Sequence, residues 1–166
     1  MAACFPFPNE LRKQVIMMTR RILALAALGL LTACASVRMA SPERDLAVKQ
    51  FSAPPKGKAS LYVFRNESLG GAVKMSLQLD GKLLGETASK TFHWVPIAPG
   101  KHTLVGKAEN ESALEFTAKP GQNIFVWQEV KMGLFSAGNR LELVDEERGQ
   151  SAIAQCELAE AGASTN

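Results

Sequence analysis

The stretch Val73-Lys74-Met75-Ser76-Leu77-Gln78-Leu79-Asp80-Gly81-Lys82-Leu83-Leu84-Gly85 decides the fold. Val73, Met75, Leu77 and Leu79 alternate with Lys74, Ser76, Gln78 and Asp80. A period of two places the apolar set on one face of a strand and the polar set on the other. Asp80-Gly81 then supplies two residues that tolerate positive φ, as a two-residue hairpin turn requires. The chain returns through Lys82-Leu83-Leu84-Gly85 as the partner strand.

Working outward, the same period recurs. Upstream, Ala59-Ser60-Leu61-Tyr62-Val63-Phe64-Arg65 is apolar on both faces, as a central strand would be. Downstream come residues 91–97, the turn Ala98-Pro99-Gly100-Lys101, residues 102–108 and residues 112–118. The turn Lys119-Pro120-Gly121-Gln122 follows, then residues 123–130 and a short strand at 140–144. Strands at intervals of roughly eight to twelve residues, with turn signals between them, predict an antiparallel β-sandwich. The expected architecture is mainly β, with about seven strands and one short C-terminal helix. Asp145 can cap that helix, and Glu146 and Glu147 suit the positive end of its dipole. Ile153 and Cys156 then share one face, enough to dock on the sandwich.

The N-terminal part reads differently. Thr19-Arg20-Arg21 is a basic start, and residues 22–31 are ten consecutive apolar or small residues. As a helix they span about 15 Å, half of the roughly 30 Å core of a bilayer, so a secretory signal fits better than a membrane span. Leu31-Thr32-Ala33-Cys34 then resembles the bacterial lipobox, in which a Leu and two small residues precede Cys. That resemblance implies cleavage after Ala33, diacylglycerol on the Cys34 thiol and acylation of the new amino group. Three acyl chains, at about 0.8 kcal/mol per buried methylene, hold far more firmly than one. Ala35, not Asp, follows Cys34, which resembles default sorting to the outer membrane of Gram-negative bacteria. Residues 1–33 are therefore expected to be a signal peptide, whose start could equally be Met17 or Met18. Arg20-Arg21 lacks the rest of a twin-arginine pattern.

From Ala35 to Lys58 the composition turns to Ser, Pro and charge, closing on Ala53-Pro54-Pro55-Lys56-Gly57. Residues 34–58 are accordingly expected to be a lipidated N-terminus and flexible tether, with at most a brief helical turn after Arg44. Fully extended, such an arm reaches roughly 80 Å. Residues 59–159 form the expected sandwich and its helix, and residues 160–166 a disordered tail.

Composition supports one globular domain: of 166 residues, 46% are hydrophobic and 21% charged, too apolar for a wholly disordered chain. The formal charge of +3 comes from 19 Lys and Arg against 16 Asp and Glu. Arg12, Lys13, Arg20, Arg21 and Glu10 precede Cys34, which leaves 15 basic and 15 acidic residues from there on. The body is neutral, so charge gives no argument for nucleic acid.

The order of pieces resembles a family of bacterial lipoproteins carrying the domain of unknown function DUF2846. The resemblance rests on residues 54–65, Leu79-Asp80-Gly81-Lys82, Pro99-Gly100-Lys101-His102 and Lys119-Pro120-Gly121-Gln122, and covers residues 51–158. The two Gly-Lys turns are also similar to the PEGA type of small surface β-domain. These motifs are turn chemistry, and the family supplies no catalytic residues.

The search for chemistry is correspondingly lean. His93 and His102 lie on neighbouring strands, but a zinc site needs further ligands, and Glu86 and Glu109 are near only in sequence. His102, just after a turn, is expected to be solvated. Cys156 has no local His and reads as a buried inert thiol. Asp145, Glu146 and Glu147 form a helix start, not a carboxylate pair across a cleft. No phosphate-binding loop occurs, and no cofactor or metal is implied. Phe92 with Trp94, and Phe125 with Trp127, share strand faces and are expected to belong to the core, with an exposed stacking platform as the alternative. Residues 131–138 read as a glycine-flanked loop whose Met132, Leu134 and Phe135 form a candidate contact surface.

The expected function is a lipid-anchored, non-catalytic module on the periplasmic face of the outer membrane. It would contact membrane lipid through Cys34 and bind an envelope protein or peptidoglycan. The alternative is an envelope enzyme acting on cell-wall glycan.

Overall fold

Strand β1 (Ala59–Arg65) is buried along its whole length, as its two apolar faces predict. The computed structural model describes residues 37–68, 73–132 and 137–162. Eight more strands follow: β2 (Met75–Leu79), β3 (Lys82–Thr87), β4 (Thr91–Ile97), β5 (Gly100–Lys107), β6 (Glu111–Ala118), β7 (Asn123–Met132), β8 (Ala137–Val144) and β9 (Glu157–Leu158). Two helices, α1 (Pro42–Val48) and α2 (Glu146–Ile153), flank the set. The strands build one sheet in the order β8-β7-β1-β4-β9 and another in the order β3-β2-β5-β6. The fold is mainly β and sandwich-like with a short C-terminal helix, as the period of two predicts.

Two details depart from an all-antiparallel sandwich. β1 pairs with β7 in parallel, Leu61 opposite Ile124, and β9 lies parallel to β4. Between β1 and β7 the chain visits the second sheet twice, with β4 returning antiparallel to β1 in between, and β7 then enters beside β1 with the same sense. Local periodicity carries no information about which strand becomes that neighbour.

The deciding hairpin forms as read. Asp80 and Gly81 have φ of 51° and 77°, and Leu79 pairs with Lys82. Met75 and Leu77 point inward, whereas Ser76 and Gln78 are half-buried. A register shift between Leu77 and Gln78 leaves Leu84 as the extra residue of a bulge in β3. It lets Gly85 face His93, where a Cβ would come within 2.6 Å of the imidazole Cε1.

The apolar residues form two clusters, one on each side of the five-stranded sheet. Leu61, Val63, Leu77, Leu104, Phe116 and Val126 fill the space between the sheets. On the opposite face Tyr62, Phe64, Phe92, Phe125, Ile153 and Cys156 pack under the helices. Tyr62 and Phe125 stack at 5.0 Å between centroids, with Phe51 tilted against Tyr62 and edge-on to Phe125. Burial pushes the Tyr62 phenol up to about 12. Trp94 and Trp127 are half-buried in this second cluster, so the four paired aromatics belong to packing. Asp145 caps α2 by accepting from the Arg148 N–H, and Ile153 and Cys156 dock as predicted.

Three expectations need correction. First, residues 37–58 are not a structureless tether. Ser41 caps α1 by accepting from the Arg44 N–H at 3.3 Å, and Pro42 suits its first position. The Ala40 N–H donates to Leu158 O and the Glu160 N–H to Arg38 O, both at 2.9 Å, with Met39 bridged to Ala159. Asp45 ties the helix to β9 by accepting from the Leu158 N–H at 2.8 Å and pairing with Lys49 at 2.6 Å. The bonds from residues 38, 39, 40 and 45 to residues 158–160 join parts far apart in sequence, which composition does not reveal. Second, the expected tail is ordered at its start, since the Gly162 N–H donates to Leu84 O at 2.9 Å. Third, the expected loop 131–138 is largely hairpin, with Lys131 opposite Gly138 and Met132 opposite Ala137. Cross-strand pairing overrides the weak propensity of glycine there. Among the described residues no helix is long and apolar enough to cross a membrane.

Candidate functional site

Leu31, Thr32, Ala33 and Cys34, which resemble a lipobox, lie outside the described residues, as do Leu134 and Phe135 of the candidate contact surface. Met132, at the end of β7, is 80% exposed. The described body contains three polar arrangements that the strands bring together.

A clasp closes one end of the four-stranded sheet. His102 Nδ1 donates to the Asp80 carboxylate at 2.7 Å, and Nε2 donates to the Ala98 carbonyl at 2.8 Å. The second Asp80 oxygen accepts from the Thr103 N–H at 2.9 Å. His102 therefore links the β2–β3 turn to the β4–β5 turn, stacked on Phe116 at 5.6 Å. Its side chain is only 10% exposed, which corrects the expectation of a solvated residue. Because both ring nitrogens face acceptors, the ring is satisfied as imidazolium. Burial works against that charge, but the Asp80 hydrogen bond, the Ala98 carbonyl and the Asp80 charge outweigh it, and the pKa is raised. For Asp80, burial pushes upward, yet the Thr103 N–H and His102 prevail and its pKa is lowered. Beside the clasp a shallow cleft of about 390 Å³ is lined by Lys101, Thr103, Glu115 and Thr117.

A buried polar belt joins the two sheets near their other end. Thr87 donates its hydroxyl to Gln128 Oε1 at 2.6 Å, and Gln128 Nε2 reaches Asn139 Oδ1 at 3.4 Å. Asn139 Nδ2 donates to Gly106 O at 3.1 Å, while the Asn139 N–H donates to Asn110 Oδ1 at 2.6 Å. Asn110 Nδ2 returns a bond to Asn139 O at 2.8 Å. Gly106 is required here, since a Cβ would collide with Asn139 Oδ1. The members engage one another and the backbone, so the belt fixes how the sheets sit together. Sequence reading missed it. The available signal was Gln128, a polar residue on the inward parity of Ile124, Val126 and Val130.

The third arrangement surrounds Arg65, which is buried and donates from Nη1 to Val73 O at 2.7 Å, holding the approach to β2. Glu67 accepts from the Val130 N–H at 3.3 Å, and the Ser89 hydroxyl donates to Glu67 O at 2.8 Å. His93 is also buried, with Nε2 at 2.9 Å from Glu86 O, and burial lowers its pKa. Its ring lies between the sheets, away from His102 at the turns. Among the described residues no three His, Cys, Asp or Glu side chains converge in a way that could hold a metal ion. Cys156 is 1% exposed, and burial pushes its thiol up to about 11, the reverse of a reactive thiolate.

A family model for proteins of unknown function, DUF2846, matches residues 55–139, a span that runs from the turn before β1 to the start of β8. An uncharacterised protein of Haemophilus influenzae strain Rd is 40% identical over 131 residues, covering 78% of this chain and 78% of that protein. The matched span holds the deciding hairpin, the Asp80–His102 clasp and the buried belt, which are the features that set the sandwich geometry. The chain belongs to the DUF2846 family of proteins of unknown function.

Proposed function

We propose that the protein is an envelope lipoprotein, held to the outer membrane by acyl chains on Cys34 and facing the periplasm. Its β-sandwich is a non-catalytic module that binds an envelope protein or peptidoglycan, or serves as an accessory to a larger envelope complex. One observation carries the reading: Leu31-Thr32-Ala33-Cys34 stands directly behind a basic start and ten apolar or small residues. A binding role is supported by Met132, 80% exposed at the end of β7, with Leu134 and Phe135 following it in the sequence.

Mass spectrometry of the mature N-terminus tests the anchor. The wild type should begin at Cys34 with diacylglycerol on sulfur and an acyl group on nitrogen. Cys34→Ser should leave the precursor uncleaved and unacylated. An unmodified N-terminus in the wild type overturns the reading. Crosslinking in intact cells followed by pull-down then separates a protein partner from glycan.

A further inference from the structure

An acylated Cys34 sets where the membrane begins, and the first docked residues set where the folded body begins. Composition alone places a flexible arm of 24 residues between them, with an average reach on the order of 25–30 Å. The structure removes most of that arm. From Val37 the chain already lies against the body. The Ala40 and Glu160 N–H groups bond Leu158 O and Arg38 O, and Met39 bridges Ala159. Beyond them α1 is held to β9 through Asp45 and Leu158. Three Cα–Cα steps separate Cys34 from Val37, a contour length of about 11 Å.

We infer that the body is seated flush on the bilayer surface, through the seam where residues 37–40 meet residues 157–162. The inference rests on the lipidated-Cys34 reading. The surface around that exit suits a lipid headgroup layer. Leu83 on the edge strand β3 is 52% exposed and Met39 37% exposed. Leu83 lies 3.5 Å from where a Cβ on Gly162 would stand. With Val37, Arg38 and Glu160 it borders a shallow cleft of about 340 Å³. The Arg38 side chain is 83% exposed and pairs with Glu160 at 3.8 Å, a solvent-facing pair for whose guanidinium an anionic headgroup can compete. Apolar groups beside a cation match the amphipathic interface of a bilayer. The short link holds this edge at the interface continuously, so even weak contacts there act at high effective concentration. Strand β6 is the opposite edge of the four-stranded sheet, three strand spacings or about 14 Å from β3, and faces away.

The test uses the acylated chain in vesicles of phosphatidylethanolamine and phosphatidylglycerol, doped with a lipid carrying a headgroup nitroxide, a short-range quencher. An environment-sensitive fluorophore is placed on Arg38→Cys or on Glu115→Cys; Cys156 is buried and Cys34 is blocked by its lipid. Quenching at position 38 should exceed that at position 115 by at least about twofold, given the strand separation. A Gly-Ser insert of about 20 residues between Ala35 and Ser36 should erase the difference. Equal, weak quenching at both positions in the native-length chain overturns the inference, as does indifference to the insert. Flotation and N-terminal mass on the same sample report the anchor separately. A chain beginning at Cys34, with a fluorescent amino acid built in at position 38 or 115 in place of a labelled cysteine and Cys34 coupled to a maleimide lipid, repeats the measurement without acylation. Strong quenching at position 38 there, with an unmodified native N-terminus, would sink the anchor reading and keep the seating geometry. Equal quenching there would sink the seating geometry alone.

Discussion

At the scale of single residues, His102 is the group whose chemistry departs most from its sequence setting. A histidine after a Pro-Gly-Lys turn reads as solvated, yet folding surrounds both of its nitrogens with acceptors. Its pKa is raised, so its contribution to stability is full below the unfolded value of about 6.5 and is lost as pH rises through the folded value. Asp80, whose pKa is lowered, contributes above about 3.8 and loses that contribution as pH falls through its own lower folded value. Thermal unfolding should therefore show a stability maximum between these limits and a decline above pH 6.5 that His102→Ala abolishes. A wild-type profile that stays level through that range would contradict the clasp. Leu77 and Gln78 test the hairpin itself. Leu77 is fully buried and Gln78 half-exposed on the other face. Leu77→Ala should cost about 2–5 kcal/mol in chemical denaturation, and Gln78→Ala no more than about 0.5 kcal/mol. Similar losses from both would mean that the strand faces were assigned wrongly.

At the scale of elements, α2 shows how docking overrides propensity. Gly149 lies inside the helix, where Ala would ordinarily add about 1 kcal/mol of stability. Its Cα instead faces Phe125, and an added Cβ would strike the Phe125 ring and Cβ, which cannot swing away. Gly149→Ala should therefore destabilise by about 1–3 kcal/mol, while Ser151→Ala on the exposed side stays within about 0.5 kcal/mol. Calorimetry on both variants decides, and a stabilised Gly149→Ala protein would show that the helix is not seated on Phe125. The β7–β8 hairpin offers the contrasting case. Its strands pair as far as Met132 and Ala137, and Met132 faces solvent. Phe135→Ala should leave the melting temperature within a few degrees of wild type and weaken crosslinking to envelope partners. A loss of about 3 kcal/mol or more in stability would place Phe135 in the core instead.

At the scale of the whole molecule, Cys156 reports global opening. It sits where the end of α2 meets β1, with Sγ 3.4 Å from Ala152 O and 3.8 Å from Arg65 O. Burial raises its pKa to about 11, so both access and thiolate formation require unfolding of the second core cluster. A disulfide-exchange reagent at neutral pH should leave the native protein unlabelled over hours, and labelling should rise with denaturant in step with unfolding. Rapid labelling of native protein would instead reveal local opening of the helical side.

Much of this architecture was legible in the sequence, because it is local. Alternation along residues 73–79, the Asp80-Gly81 turn, the doubly apolar β1 and the Asp145 cap each depend on neighbours a few residues away. Tertiary structure decided what depends on distant partners. It set the parallel β1–β7 pairing, the belt from Thr87 through Gln128 to Asn110, the two acceptors around His102, and the docking of residues 37–40 on 158–160. A hydrogen bond between residues a hundred positions apart leaves no mark in composition or period. It exists only because chain reversals elsewhere bring two backbones within about 3 Å.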